Sequence, residues 1–410
     1  MSWDSVVPPF SAEDRARVIE DVASQLQKLS LAEMRGEREK LVGRVVPLVL
    51  SVVSKFGLQA SSDQVQEIAR DVVARVGGLG FLEPLLRIDA KLSEIVVTPD
   101  GGVWVQRKGA GNFEKLPVTP SLTDVWRATE TLLAPLGRAV TEASPSVDAK
   151  IPRQEGLPGG ARIKIIHPVV APGLGYPSIN IRLFEDKPVP PELLVKWNVA
   201  PAKVVYGLVE LVSKALRILV IGGTASGKTT LLSAICNGIP KEARVVKIED
   251  PEEIWLDHPH VVTLEARPAQ VGSSIVPYDM DAAVRDAMRM SPKWLIVGEM
   301  RSGEAIKALL DAQMSDHAGL STFHAEGPEA AISRMSLKLF NDSGVRAEGA
   351  KEMITQAIDL IVQVGWSNGG RSMIGIWEVE KTLKGGNVQF RQLYKPGDSE
   401  LLPIGIERRV

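Results

Sequence analysis

The chain has one cysteine, Cys236, five histidines and only 5% aromatic residues among its 410 residues. A lone cysteine excludes an internal disulfide, and with so few scattered histidines no thiolate-type tetrahedral zinc site can be assembled. Charge of one sign is missing too: 48 basic side chains face 50 acidic ones, a net charge of −2 that gives no global attraction to nucleic acid or anionic lipid. Long hydrophobic runs are also absent. The longest near the start, Val45 to Val53, contains Pro47 and is about half the ~20 residues that a membrane span needs. Met1-Ser2-Trp3-Asp4-Ser5 lacks the basic region and apolar core of a secretory leader, so a cytoplasmic setting is expected. What remains is a globular chain with 44% hydrophobic residues, long enough for two or three domains.

What the sequence does contain is Gly222-Gly223-Thr224-Ala225-Ser226-Gly227-Lys228-Thr229, followed by Thr230, with the spacing of a phosphate-binding P-loop. Leu216 and Ile218 to Ile221 before it form an apolar run of strand length, and Leu231, Leu232 and Ile235 after it recur at helical spacing. The motif is therefore predicted at a strand-to-helix turn, and a chance match in a Gly-rich turn loses to that context. Glycines at 222, 223 and 227 let the backbone approach oxygens that a Cβ would exclude, so successive N–H groups and the helix N-terminus face phosphates. Lys228 then reaches the β and γ phosphates and Thr229 ligates magnesium. A nucleoside triphosphate with Mg2+ is the expected substrate and metal.

Three parts organise the chain. Residues 12 to 76 carry apolar residues at helical spacing (Val18, Val22, Leu26 and Leu29; Val42 to Phe56; Val65, Ile68, Val72 and Val76), which predicts a helical module over 1–76. After Gly77-Gly78-Leu79-Gly80, residues Glu94 to Thr98 and Val103 to Arg107 flank Pro99-Asp100-Gly101-Gly102 as a hairpin and open a mixed α+β domain, 77–184. Residues 185–202, with Pro188, Pro190, Pro191 and Pro201, suit a semi-rigid linker. In 203–410 apolar strands alternate with helical patterns, the signature of an α/β domain with a parallel sheet.

Ligands in such sheets bind at the carboxyl ends of the strands. Strand candidates Arg244 to Ile248, Trp294 to Val297 and Leu320 to Phe323 end in Glu249-Asp250-Pro251-Glu252-Glu253, in Gly298-Glu299-Met300-Arg301 and in His324. Acidic and imidazole groups are thus delivered to the P-loop edge, where phosphoryl transfer needs a held metal and an oriented water. The tail from Asp359 to Tyr394, with turn signals at Ser367-Asn368-Gly369-Gly370 and Lys384-Gly385-Gly386-Asn387, reads as scaffold.

The P-loop, Ile248-Glu249-Asp250-Pro251, Leu295 to Arg301, and His317 with Ser321-Thr322-Phe323-His324-Ala325 come in this order. That series resembles the Walker A, Asp, Walker B and His boxes of the ATPases of type II and type IV secretion systems. The resemblance extends to Gly137-Arg138, Val147-Asp148, Ile179 to Phe184 and Ala357 to Gln363, and within the family it is greatest to the CpaF branch, which powers Tad-type pilus assembly. It implies a RecA-like ATPase domain behind a mixed α+β N-terminal domain and a helical module. It further implies a hexameric ring with nucleotide between the two large domains, completed by a neighbouring subunit. A ring of this kind is peripheral to the inner face of the cell membrane, where it drives an inner-membrane platform protein that moves pilin or a secreted substrate.

By the same resemblance Glu253 polarises the attacking water, Glu249 and Asp250 shape the magnesium shell, Glu299 acts through magnesium-bound water, and His324 senses the γ phosphate. For Glu249, Asp250 and His317, placed on the same loop as His324, a solvated surface charge is an equal alternative. The resemblance places positive charge for the γ phosphate outside the nucleotide domain, on Arg162 of Gly160-Ala161-Arg162 and Arg182 of Asn180-Ile181-Arg182. Such an arginine is worth about a thousandfold or more in turnover. Arg138 ranks below Arg162 and Arg182, and Arg285, Arg289 and Arg301 are further family-matched candidates left unranked.

Three departures weaken the match locally. Lys150 stands where the family has an arginine, Asp316 precedes His317 where it has glycine, and Ser291-Pro292-Lys293-Trp294 stands where the branch has Arg-Pro-Asp-Arg. The rival readings are a conjugative type IV secretion ATPase, with the same chemistry in another machine, a nucleic-acid motor, and a small-molecule kinase. Near-neutral charge and few aromatics argue against the nucleic-acid motor, and no direct nucleic-acid contact is expected. The large N-terminal part argues against the kinase.

Overall fold

A computed structural model describes residues 11–26, 38–77, 79–86, 91–153, 157, 159–267, 276–315, 317–367 and 370–406. Met1 to Ser5, Leu29, Gly78, Asp316, Asn368 and Gly369, used above, lie outside the described residues. The chain forms two compact units, Met1–Asp186 and Lys187–Val410.

The first unit begins with helices α1 (Ala12–Leu26), α2 (Arg38–Lys55) and α3 (Ser62–Gly77). Their i, i+3, i+4 apolar positions meet in one core: Val18 and Val22 pack with Val45, Val49 and Val52 and with Ile68 and Val72. A short helix α4 (Glu83–Leu86) leads into strands β1 (Leu92–Val97), β2 (Val103–Arg107), β3 (Phe113–Lys115), β4 (Ser146–Ile151), β5 (Ala161–Ile166) and β6 (Ser178–Leu183), with α5 (Leu122–Leu133) between β3 and β4. The predicted hairpin is β1–β2, paired Val97 to Val103. The sheet order is β3-β2-β1-β6-β5-β4, and every pair is antiparallel.

Strand alternation decides what each face carries. Ala161, Ile163, Ile165, Ile179 and Ile181 turn inward to Val125 and Leu132 of α5. Their neighbours Arg162 and Arg182 therefore occupy the other face, in direct cross-strand register with each other and with Lys150. Asp148 answers this charge, 2.6 Å from Lys164 and 3.8 Å from Arg162.

In the second unit, residues 187–202, most of the predicted linker, are more ordered than a linker needs to be. Pro191 opens helix α6 (Pro191–Lys196), as proline does at a first helical position, and Val189, Leu194 and Val199 are buried in the unit's core. Then follow α7 (Ala202–Ser213), β7 (Ile218–Gly222), α8 (Lys228–Ile235), β8 (Val245–Glu249), β9 (Val261–Glu265), α9 (Met280–Met288), β10 (Trp294–Val297), α10 (Gly303–Met314), β11 (Ala318–His324), α11 (Pro328–Ser343), α12 (Ala347–Ala357), β12 (Leu360–Ser367), β13 (Gly370–Val379) and β14 (Phe390–Tyr394).

The sheet order is β14-β13-β12-β7-β11-β10-β8-β9, parallel from β12 to β9. β7 is buried at every residue, so consecutive side chains serve opposite faces. Ile218 and Val220 pack with Leu208 of α7 and Leu231 of α8, while Leu219 and Ile221 pack with Ala287, Leu309 and Ile354 of α9, α10 and α12. Helices thus cover both sides of a mostly parallel sheet, a RecA-like architecture with the P-loop strand near its centre.

Candidate nucleotide site

β7 ends at Gly222 and α8 begins at Lys228, so the Gly-rich loop occupies the strand-to-helix turn that its sequence predicts. Gly222 is required by proximity, since a Cβ there would lie 2.3 Å from the Val364 carbonyl oxygen. Gly227 has φ +95, a left-handed conformation that favours glycine. Gly223, Thr224 and Ala225 are exposed at the tip. Lys228 is largely buried and folds back over the loop, its Nζ donating to the carbonyls of Gly223 (2.7 Å) and Gly222 (3.1 Å).

From the Lys228 ammonium a polar chain crosses the carboxyl edge of the sheet. Nζ lies 3.4 Å from Nδ1 of His324, the last residue of β11, and His324 Nε2 lies 2.8 Å from Oε1 of Glu299. The Nε2–H tautomer satisfies this arrangement: Nδ1 accepts from the lysine and Nε2–H donates to the carboxylate. Arg301 closes the chain, with Nε 2.7 Å from Glu299 Oε2 and a terminal nitrogen 3.3 Å from Asp250. Burial and then the Lys228 charge push the His324 imidazole below its ordinary value, while Glu299 pulls the other way. Burial works against the Arg301 charge, but Glu299 and Asp250 outweigh it and hold the guanidinium above its ordinary value.

A cleft of about 610 Å³ opens over these groups, lined by Gly222, Gly223, Thr224, Glu299, Arg301 and His324. Arg334 and Lys338, one turn apart on α11, also line it, and Lys338 donates to the Arg301 carbonyl. No sequence motif singles out these two residues, and they place positive charge at the cleft from within the second unit itself. Arg371 of β13 was missed as well. It lies in the tail read as scaffold, yet its Nε donates to the Ala225 carbonyl at 3.1 Å.

The acidic turn after β8 has a different construction. Glu249 is almost wholly buried, its Oε1 accepting from the backbone N–H of Glu253 (3.1 Å) and Ile254 (2.9 Å) and its Oε2 2.7 Å from Lys247 Nζ. Lys247, buried in mid-strand, also holds Glu252 at 2.9 Å and the Ile254 carbonyl. Burial pushes the Glu249 carboxyl up, and Lys247 and the two backbone N–H groups draw it back. Glu249 thus shapes the turn that carries Glu253, which is partly exposed. A charged Lys inside Val245-Val246-Lys247-Ile248 was the available sequence signal for this brace.

His317 is not beside His324. It precedes β11, with Nδ1 2.9 Å from the Pro292 carbonyl, and His324 ends the same seven-residue strand, so the two rings sit at opposite edges of the sheet. The reading that put both on one loop is corrected. The strand begins at Ala318, before the predicted Leu320, and its Gly319 sits in close packing: a Cβ there would meet Gln313 at 2.7 Å and the Leu295 carbonyl at 3.1 Å. Arg285 pairs with Asp281 one turn before it on α9, and Arg289 caps that helix. Cys236 is buried and burial pushes its thiol up, as a structural cysteine requires.

The loop suits a nucleoside triphosphate. Its tip is open, its lysine is poised among carbonyls, and the Ser226 hydroxyl is buried with no partner among the described residues. Fold and loop together define a P-loop domain of RecA-like type. The profile of the family described as "Type II/IV secretion system protein" matches residues 77–364, and the chain belongs to that family.

The chain is 30% identical to a probable conjugal transfer protein, TrbB, of Sinorhizobium fredii, over 72% of this chain and 86% of that one. The ATPase DotB of Legionella pneumophila, at 20% identity, superposes with a TM-score of 0.52 over 72% of this chain and 78% of that one. The pilus retraction motor PilT, solved with bound ADP, gives 19% identity and a TM-score of 0.51 over 72% and 81%. The two structural likenesses speak for the fold.

Among the described residues no helix is long and apolar enough to cross a membrane.

Proposed function

We propose that this chain is a Mg2+-dependent ATPase that works as a hexameric ring at the inner face of the cell membrane, driving pilus assembly or protein secretion through a platform protein. The observation that carries the proposal is the chain Lys228–His324–Glu299, which joins the phosphate loop to the ends of two neighbouring strands. Gly222 to Thr230 hold the triphosphate, Lys228 exchanging its carbonyl partners for phosphate oxygens. Thr229 and, through water, Glu299 hold Mg2+, which when bound neutralises developing phosphate charge. Glu253 orients the attacking water and His324 reports the terminal phosphate to Glu299. The water oxygen bonds to the terminal phosphorus, the bond to the bridging oxygen breaks, and ADP and phosphate leave. Arg162 and Arg182, side by side on β5 and β6, supply further positive charge in the assembled ring.

The order of the four boxes and the helices before the N-terminal sheet support a CpaF-like, Tad-type motor. The conjugal-transfer name of a 30%-identical relative favours a second reading, a conjugative type IV secretion ATPase.

A site shared between subunits leaves an isolated chain nearly inert. The test is ATP hydrolysis per mole of protein on dilution through the range where a ring dissociates. A steep fall in specific rate supports the shared site, and a constant rate with demonstrated monomers refutes it.

A further inference from the structure

The groups that face a terminal phosphate lie on one side of β7: His324 on β11 and Glu299 after β10. The P-loop lysine reaches the β and γ phosphates, so the α phosphate and the nucleoside run away from these groups, toward β12 and β13 on the other side. On that side β12 carries Trp366 one residue before its end at Ser367. β12 pairs with β7 at Gln363 to Ile221, the Val364 carbonyl abuts Gly222, and Trp366 follows two residues on. Trp366 shares parity with Val362 and Val364, which pack in the core shared with α8, so its indole stands on the face that carries the P-loop helix.

The indole is 49% exposed and is held from beneath. Arg371, its direct cross-strand partner, sets its guanidinium 5.3 Å from the ring centroid. The same arginine donates to Ala225 O, and its Cδ lies 3.2 Å from the place a Gly227 Cβ would take. P-loop, guanidinium and indole therefore form one connected stack whose outermost member is a half-open aromatic ring. Core packing gives no reason to leave so large an apolar group half-open beside a polar loop, whereas stacking on a heteroaromatic base does.

We infer that Trp366 and Arg371 form the nucleoside end of the site, with Trp366 as the face on which the base of the nucleotide stacks. This rests on the reading of 222–229 as a nucleotide loop. Stacking tolerates any base with a π-face, so the platform selects nucleotide over bare triphosphate and discriminates weakly between ATP and GTP.

The test is isothermal titration of the full chain, with Mg2+, by ATP and by inorganic tripolyphosphate. Trp366→Ala weakens ATP by about 5- to 150-fold, the range for loss of one base–aromatic stack, and leaves tripolyphosphate unchanged, while Trp366→Phe recovers most of the loss. Retained tripolyphosphate binding shows that the variant is folded. Equal affinity of Trp366→Ala and wild type for ATP overturns the platform while the P-loop reading stands, as does a parallel loss of both ligands, which would make the indole a support of the loop. If wild type binds neither ligand, or Lys228→Ala binds both as wild type does, the nucleotide reading fails and the platform with it.

Discussion

Glu299 Oε1 and His324 Nε2 lie 2.8 Å apart, tying the acid after β10 to the imidazole that ends β11. This contact sets a pH dependence. Burial and Lys228 hold His324 below its ordinary 6.5, so it is neutral at neutral pH. Folding selects the unprotonated ring. Its effect on stability is absent above 6.5, is felt as a loss when pH falls from 6.5 toward the lower folded value, and levels off below that. Glu299 raises the value, so Glu299→Gln lowers the His324 titration midpoint further, as read by NMR of the imidazole. An unchanged or raised midpoint in that variant contradicts the contact.

Lys247 supports the acidic turn from inside. Lys247→Met leaves the Glu249 carboxylate buried without its cation, a change that typically costs about 3–5 kcal/mol. Denaturant unfolding of the second unit's transition measures it. The double variant Lys247→Met/Glu249→Leu recovers much of the stability but, having lost the shape of the Glu253 turn, stays slow in hydrolysis. A double variant with normal turnover would remove the positioning role.

Gly298 allows that brace to fit. A Cβ at 298 would lie 2.9 Å from Glu249 Cγ and 3.3 Å from its Oε1, so Gly298→Ala displaces the carboxylate or the strand end. Overpacking of this kind costs about 1–3 kcal/mol, and here it acts between Glu249 and Glu299. Turnover falls more than nucleotide affinity, since the P-loop is untouched. The ratio of kcat to KM effects against wild type checks this.

At the opposite edge of the sheet Asp359 is fully buried and takes Arg217 at 3.0 Å and Lys381 at 2.8 Å, while Arg217 also donates to the carbonyls of Gln313 and Gln356. The pair ties the first residue before β7 to the ends of α10 and α12. Asp359→Ala strands Arg217 in the interior and destabilises the second unit by about 3–5 kcal/mol. ATP affinity below the unfolding transition is unchanged, because the network lies a strand length from the loop. Thermal unfolding with and without nucleotide distinguishes the two effects.

Much of this site is legible in the sequence where chemistry is local. The P-loop carries its own strand, turn and helix signals, and β10 spans Trp294–Val297 as its apolar run predicts. β8 is displaced by one residue, because the buried, paired Glu249 continues the strand that its charge was expected to end. What stayed hidden depends on contacts distant in sequence. Arg371 lies 146 residues from the carbonyl it reaches, and Arg334 and Lys338 enter the cleft only because α11 returns over β11. No local pattern distinguishes such side chains from solvated surface charge.

On the proposed function, the loop at 222–229 and the Glu299–His324 pair together hydrolyse ATP. Phosphate release from Mg2+-ATP by the full chain, compared among wild type, Lys228→Ala, Glu299→Gln and His324→Ala, tests it most directly. Wild type is expected to turn over, Lys228→Ala to lose both binding and turnover, and Glu299→Gln to retain ATP binding with turnover reduced by about a hundredfold or more. His324→Ala binds ATP and turns over slowly. Undiminished phosphate release by Lys228→Ala or Glu299→Gln would contradict the account.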